Sequence, residues 1–367
     1  MKQFFQFITW PSIAGILAAI IILQWYAPLK PGPGDTAAPA LPGPVTSFSS
    51  AVQRAVPAVV NIYTAKRVPD RPSVRPLFPR RSLDSRPARR ERIERSLGSG
   101  VIVSEQGLVI TAWHVIRGAE QILVRLNDGR TGLARVVGHD PHTDLAVLKI
   151  ELENLEAITF GNPDQARVGD VVLAIGNPYG FGHSVSQGII SALGRYGLRL
   201  STYEDFIQTD AAINEGNSGG ALIDTEGRLL GINTATYSRS GESTGIGLAT
   251  PADLAMGVAQ DLVAYGTVIR GWIGLSVEMV YTSGSSTPSL LVINTHPEGP
   301  AARNGIRSGD IITHIDMEPV QDVQLAMQKI ALLKPGDAVD VSLQRGGENL
   351  NMRVIVSSRP EAEQRQG

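Results

Sequence analysis

Residues 206–223 read FIQTDAAINEGNSGGALI, and the fold turns on the middle of this stretch. Gly216, Asn217, Ser218, Gly219 and Gly220 set one serine among glycines, just ahead of the apolar run Ala221, Leu222, Ile223. A serine hydroxyl is a weak nucleophile until a base takes its proton. It also needs backbone N–H groups aimed at the oxyanion that develops during attack, and glycines let the main chain turn and approach closely enough to supply them. The plainer reading of the same residues is a glycine-rich turn between two strands. On the catalytic reading Ser218 is the nucleophile, and Gly216, Asn217 and Ser218 build the oxyanion hole.

A base must then be found among six histidines. His114, in Thr111-Ala112-Trp113-His114-Val115, follows the apolar strand Leu108, Val109, Ile110 where a short helical turn can begin. His139 and His142 lie in a polar turn, His183 in a glycine-rich loop, and His296 and His314 much later in the chain. The orienting acid is Asp144, at the head of the strand Leu145-Ala146-Val147-Leu148, where its carboxylate can steady an imidazole N–H. Both have structural readings, a packed histidine beside an apolar run and a strand-capping aspartate. His139, Asp140, His142 and Asp144 also suggest a metal site. Their spacing is not H-E-x-x-H and a proline interrupts them, so neither metal nor cofactor is expected.

The surroundings are those of a β-rich chain. Short apolar runs such as 99–111 (SGVIVSEQGLVIT) alternate with turn signals, and Asn127-Asp128-Gly129 and Glu226-Gly227 sit where hairpin turns belong. The 39 glycines, 23 prolines and 5% aromatics favour tight turns over helical bundles, and 43% hydrophobic residues exclude wholesale disorder. A net charge of −2 excludes a basic nucleic-acid binder, and zero cysteines exclude disulfide scaffolds and thiol catalysis. No phosphate-cradling glycine motif is present. At 367 residues the chain is too long for one ordinary domain.

Residues 4–26 are largely apolar, with no acid or base between Lys2 and Lys30 and with Trp10, Trp25 and Tyr26 at interfacial positions. This predicts a cytoplasmic tip and transmembrane anchor over 1–28, with the rest outside the cytoplasmic membrane; a cleaved signal peptide near Ala38 and Ala40 is the alternative. Residues 29–46 read as a Pro/Gly/Ala-rich tether. The Arg/Pro-rich loop at 66–96 reads as a solvated surface loop or a contact for anionic lipid or a partner.

These segments, in the order His, Asp, Ser, resemble the catalytic segments of the HtrA serine proteases. TAWHV, HDPHTDLAVLKI and QTDAAINEGNSGGAL carry the resemblance, with GSGVIVSEQGLVIT, AIGNPYG and GIGLATP around them. Residues 299–312, GPAARNGIRSGDII, resemble the PDZ domains of that family. One anchor, one protease and one PDZ domain are similar to its membrane-anchored, DegS/AlgW-like branch.

The resemblance implies a mainly β fold: an N-terminal transmembrane helix, a trypsin-like double β-barrel over 47–258, a PDZ domain over 266–360 and a tail over 361–367. It implies a PDZ carboxylate-binding loop at Trp272, Ile273, Gly274 and Leu275, and a primary specificity pocket floored by Ala212 that suits a modest apolar side chain. Tyr179, Arg195 and Gln208 match positions that rearrange on activation. Homotrimers with Phe48 near the three-fold contact are implied as well. So is an anti-sigma-factor substrate, with the C-termini of misfolded outer-membrane proteins as activating peptides. A general envelope quality-control protease and a chaperone-like peptide sensor remain alternatives. Three departures stand out: Trp113 replaces the usual polar residue before the histidine, Glu215 precedes the GNSGG, and the arginine-rich 66–96 stretch exceeds what compact relatives carry there.

Overall fold

The computed structural model describes residues 14–22, 47–69, 91–177, 182–198, 200–214, 216–236, 245–281, 288–320 and 322–360. The chain divides into two compact units, Met1–Ser47 and Phe48–Gly367. In the first, residues 14–22 are helical, and the rest of the expected span lies outside the described residues. Among the described residues no helix is long and apolar enough to cross a membrane.

The second unit begins with the helix Ser49–Ala55, whose Ala51 and Ala55 are fully buried. Six strands follow: β1 (Val59–Pro69), β2 (Glu91–Ser104), β3 (Leu108–Ala112), β4 (Gln121–Arg125), β5 (Thr131–Asp140) and β6 (Leu145–Ile150). They close into a barrel in the order β1-β2-β3-β6-β5-β4. In β4 the alternation is plain: Ile122 and Val124 point inward while Gln121, Leu123 and Arg125 face out. The hairpin joining β4 to β5 turns at Gly129, whose φ of 90° is the left-handed region that glycine enters without penalty.

A second barrel has β7 (Val171–Gly176), β8 (Ser184–Arg195), β9 (Phe206–Thr209), β10 (Ala221–Ile223), β11 (Leu229–Thr236) and β12 (Gly247–Pro251). Its order is β10-β11-β12-β9-β8-β7. The hydrophobic core of the first barrel continues across the seam through Leu173, Ile175, Ala221 and Ile232. This part of the seam is therefore apolar and packed, the setting in which loops from two barrels can be held against each other.

The 66–96 stretch departs in part from a loop. Strands β1 and β2 stay paired along it, from Lys66↔Glu94 to Pro69↔Glu91, so only its centre, residues 70–90, lies outside the described residues. β-pairing propagates because each added rung satisfies backbone groups, whatever residue types the strands carry.

Helix Ala252–Tyr265, ended by Gly266 at φ 73°, leads to a third core. There β14 (Leu275–Tyr281), β15 (Pro288–Thr295), β16 (Ile311–Ile315), β18 (Ala338–Arg345) and β19 (Glu348–Ile355) form a sheet, with β17 (Glu318–Pro319) beside β16. β13 (Gly271–Trp272) pairs with β20 (Ser357–Ser358). Helix Val323–Leu332 starts at Asp322, whose carboxylate accepts the Gln324 and Leu325 N–H groups.

Candidate active site

His114 lies in the single helical turn Trp113–Ile116 directly after β3. Asp144 sits in the tight connection between β5 and β6, at φ 56°. Registers Ala112↔Leu145 and Asp140↔Leu145 bring these two strand ends side by side. His114 Nδ1 lies 2.5 Å from Asp144 Oδ2, and the His114 N–H donates to Asp144 Oδ1 at 2.9 Å. The Trp113 N–H donates to the Asp144 carbonyl at 2.8 Å. One aspartate thus fixes both the imidazole and the backbone that carries it, leaving Nε2 as the ring nitrogen free to face a substrate.

The serine loop comes from the other barrel and is held across the seam by Ser99 of β2. The Ser99 N–H donates to the Ser218 carbonyl at 2.9 Å, Ser99 Oγ donates to the Gly216 carbonyl at 2.6 Å, and the Asn177 N–H donates to Ser99 Oγ at 2.9 Å. Gly219, at φ 82°, is pressed so close that a Cβ there would stand 2.2 Å from the Ser99 oxygen and 3.0 Å from the Ala112 nitrogen. Ala112 is two residues before His114, so the loop is docked on the strand end that carries the imidazole. Among the described residues no hydrogen bond joins Ser218 Oγ to His114; catalytic contacts of this kind often tighten only with substrate bound.

The Asn217 carbonyl accepts the Gly220 N–H at 2.9 Å. In a trans peptide C=O and the following N–H point oppositely, so the Ser218 N–H is directed out of the loop, as an oxyanion donor must be. Asn217 itself is buried, with Nδ2 3.4 Å from the Ala212 carbonyl. The peptide before Gly216 involves Glu215, outside the described residues. Ala212 is exposed, and its carbonyl also accepts Ser186 Oγ–H at 2.7 Å.

The residues weighed for metal binding go to separate partners. His139 stacks on Trp113 with ring centroids 3.8 Å apart, and His142 Nδ1 lies 3.0 Å from Thr202 Oγ1. Asp140, 3% exposed, takes Thr143 Oγ1–H and the guanidinium of Arg270, while Asp144 belongs to His114. Of the activation positions, Arg195 Nε donates to Gln208 Oε1 at 2.9 Å, and Tyr179 lies outside the described residues.

Ser99 and the Arg270–Asp140 pair were not singled out by sequence reasoning. The only trace of Ser99 is the run of small residues Gly98, Ser99, Gly100 in a strand, which marks a close approach of another chain segment.

At the third core, the Ile273 and Gly274 carbonyls accept the Ala301 and His296 N–H groups, each at 2.9 Å. The N–H groups of Gly274 and Leu275 therefore point the other way. Trp272, Ile273, Gly274 and Leu275 all line a cavity of about 770 Å³, which continues to His142 and Tyr203 of the protease side. A row of outward N–H groups beside an apolar groove suits a peptide carboxylate.

Comparison with known proteins agrees with this architecture. Residues 98–232 match a trypsin-like peptidase domain and residues 271–356 a PDZ domain. The chain is 40% identical to serine endoprotease DegS of Escherichia coli over 86% of each protein. It is 40% identical to a probable periplasmic serine endoprotease, DegP-like, of Halomonas elongata, covering 87% of this chain and 72% of that one. The solved structure of the HtrA-type protease AlgW with decapeptide superposes with a TM-score of 0.70 at 48% identity, covering 86% of this chain and 99% of AlgW. With this peptidase domain, this single PDZ domain and these relatives, the chain belongs to the HtrA-type serine endoproteases.

Proposed function

We propose that the chain is a regulated endopeptidase in which Ser218 Oγ attacks a peptide carbonyl while His114 Nε2 accepts the hydroxyl proton. The tetrahedral intermediate collapses as His114 returns that proton to the departing amine, and water repeats the sequence on the acyl-enzyme. Asp144 holds the proton on Nδ1 and stabilises the imidazolium. The Gly216 and Ser218 N–H groups, with Asn217 between them, receive the oxyanion, each donor lowering the barrier by about 3 kcal/mol. Ala212, an alanine and not an acid, suits a modest apolar side chain before the scissile bond.

The observation that carries this reading is the His114–Asp144 pair at 2.5 Å beside a serine loop pinned across the seam. The test is Ser218→Ala in the full chain. Fluorophosphonate labelling and hydrolysis of a fluorogenic apolar peptide should both vanish; retained hydrolysis would overturn the assignment.

We further infer that the protease and PDZ domains face the periplasm, tethered to the inner membrane by the N-terminal segment; the periplasmic names of relatives support the side. The PDZ loop at residues 272–275 takes the C-termini of misfolded outer-membrane proteins. The substrate is an anti-sigma-factor-type membrane protein in envelope-stress signalling, and the active assembly is a trimer with Phe48 near its axis. Peptide docking corrects a misplaced oxyanion loop through Tyr179, Arg195 and Gln208, a population shift that needs different affinities of the peptide for the two states. Adding a peptide with a free apolar C-terminus should speed cleavage; an unchanged rate at every peptide concentration would sink the regulatory reading.

A further inference from the structure

The turn Trp113–Ile116 that carries His114 is four residues long and has no side-chain cap at its start. Such a turn has no helical stability of its own, since nucleation costs more than one hydrogen bond returns. Its N-terminal end is held by Asp144, through the Trp113 and His114 N–H groups. Its inner side is held by the buried side chains of Val115 and Ile116. The indole of Trp113 packs partly against the first barrel's core. Its ring lies on the His139 imidazole, 10° from parallel.

His139 is itself on fixed ground. It pairs with Ala146 in the β5–β6 ladder, and the next residue is Asp140. The Asp140 carboxylate receives the guanidinium of Arg270, from the segment leading into the PDZ domain, and the Thr143 hydroxyl. The Arg270 guanidinium lies 4.6 Å above the Tyr203 ring. A continuous set of contacts therefore runs from the PDZ entry, through Asp140 and the His139–Trp113 stack, to the base.

Resting on the assignment of His114 as base, we infer that Trp113 is a positioning residue for the reaction. Clamped between the barrel core and the His139 ring, it sets the turn from which His114 reaches Ser218. A small polar side chain at 113 has no flat face to complete this stack. Displacement of a catalytic group by about 1 Å can cost about 10²-fold in rate, so a clamp one residue away acts on turnover more than on binding.

The test is a double-mutant cycle in the full chain, hydrolysing a short unstructured fluorogenic peptide. Trp113→Ala and His139→Ala should each lower kcat by about three- to tenfold with KM unchanged. The double variant should lose no more than either single one, and Trp113→Phe should recover most of the rate because a ring remains. Losses that multiply in the double variant, a full kcat in Trp113→Ala, or a change confined to KM would overturn the inference. Thermal unfolding monitors folding, and if Trp113→Ala does not fold, His139→Ala and Trp113→Phe decide. His114→Ala run alongside tests the base separately: its retention of full activity would sink the catalytic assignment and not merely the clamp.

Discussion

Replacing Asp144 by asparagine separates what this residue does for the fold from what it does for chemistry. Its φ of 56° lies in the left-handed region, which costs most L-residues about 1–2 kcal/mol but which asparagine tolerates. The substitution therefore leaves the backbone in place. The side chain, however, exchanges two acceptors for one acceptor and one donor. If the amide oxygen keeps the His114 N–H now held at 2.9 Å, the NH₂ faces Nδ1 at the 2.5 Å contact. Nδ1 must then accept, and the ring proton moves to Nε2, the nitrogen that has to be bare to deprotonate Ser218. If the amide flips, its NH₂ opposes the His114 N–H and two donors meet. The loss of a charge-assisted hydrogen bond costs about 1.5–3 kcal/mol of stability at most. The wrong tautomer lowers kcat by about 10⁴, or about 5 kcal/mol of barrier. Asp144→Ala loses both hydrogen bonds and also bears the left-handed strain, so it should unfold at a lower temperature than Asp144→Asn. Peptide hydrolysis and thermal unfolding measured together decide. A folded asparagine variant within tenfold of the parent kcat would refute the reasoning.

Gly219→Ala introduces a Cβ 2.2 Å from the Ser99 oxygen at φ 82°, so the serine loop must shift; fluorophosphonate labelling should slow by more than about 10²-fold, and an unchanged rate would contradict the close approach. Burial, then the Arg270 guanidinium, holds the His142 imidazole below its ordinary value of 6.5; Asp140 pulls the other way and Arg359 adds to the depression. Protonation is thus disfavoured while His142 faces Arg270, so the Arg270 clasp on Asp140 and Tyr203 is fully present above pH 6.5 and weakens only as pH falls below that value, toward the lowered one. The Ile269 N–H, next to Arg270, donates to Asp261 Oδ2 at 3.1 Å; its protection against hydrogen exchange should hold down to about pH 6.5 and drop below it in the parent but not in His142→Gln; equal behaviour of the two proteins counts against it. In the PDZ core, burial pushes the Asp310 carboxyl up, but two Arg345 donors at 2.7 Å, the Arg307 N–H and both guanidinium charges outweigh this and hold it below 3.8. Its stabilising effect is present above pH 3.8 and lost as pH falls below it, so Asp310→Ala should lower the unfolding temperature at neutral pH and abolish that acid sensitivity; an unchanged melt would exclude the pair as a support.

What the amino-acid order alone determined is whatever depends on local chemistry. Ser218 among glycines, His114 at the end of an apolar strand and Asp144 at the head of another are legible because a strand end followed by a turn is written in consecutive residues. The alternation in Gln121–Arg125 and the Asn127-Asp128-Gly129 turn are legible for the same reason. The tertiary structure alone decided the rest, because those contacts join residues with no local signal of each other. Ser99 spans more than a hundred positions to tie down residues 216 and 218. Trp113 reads from sequence as a mere departure from relatives, and becomes a clamp only when β5 returns His139 to its face. The flanks of the arginine-rich stretch read as loop by composition, yet they are strand, since backbone pairing set by the neighbouring β1–β2 ladder outweighs side-chain preference. Asp140 reads from sequence as one of a possible metal cluster and Arg270 as an ordinary charge, until the PDZ entry folds against the barrel and buries the carboxylate, where only a matched cation makes burial affordable.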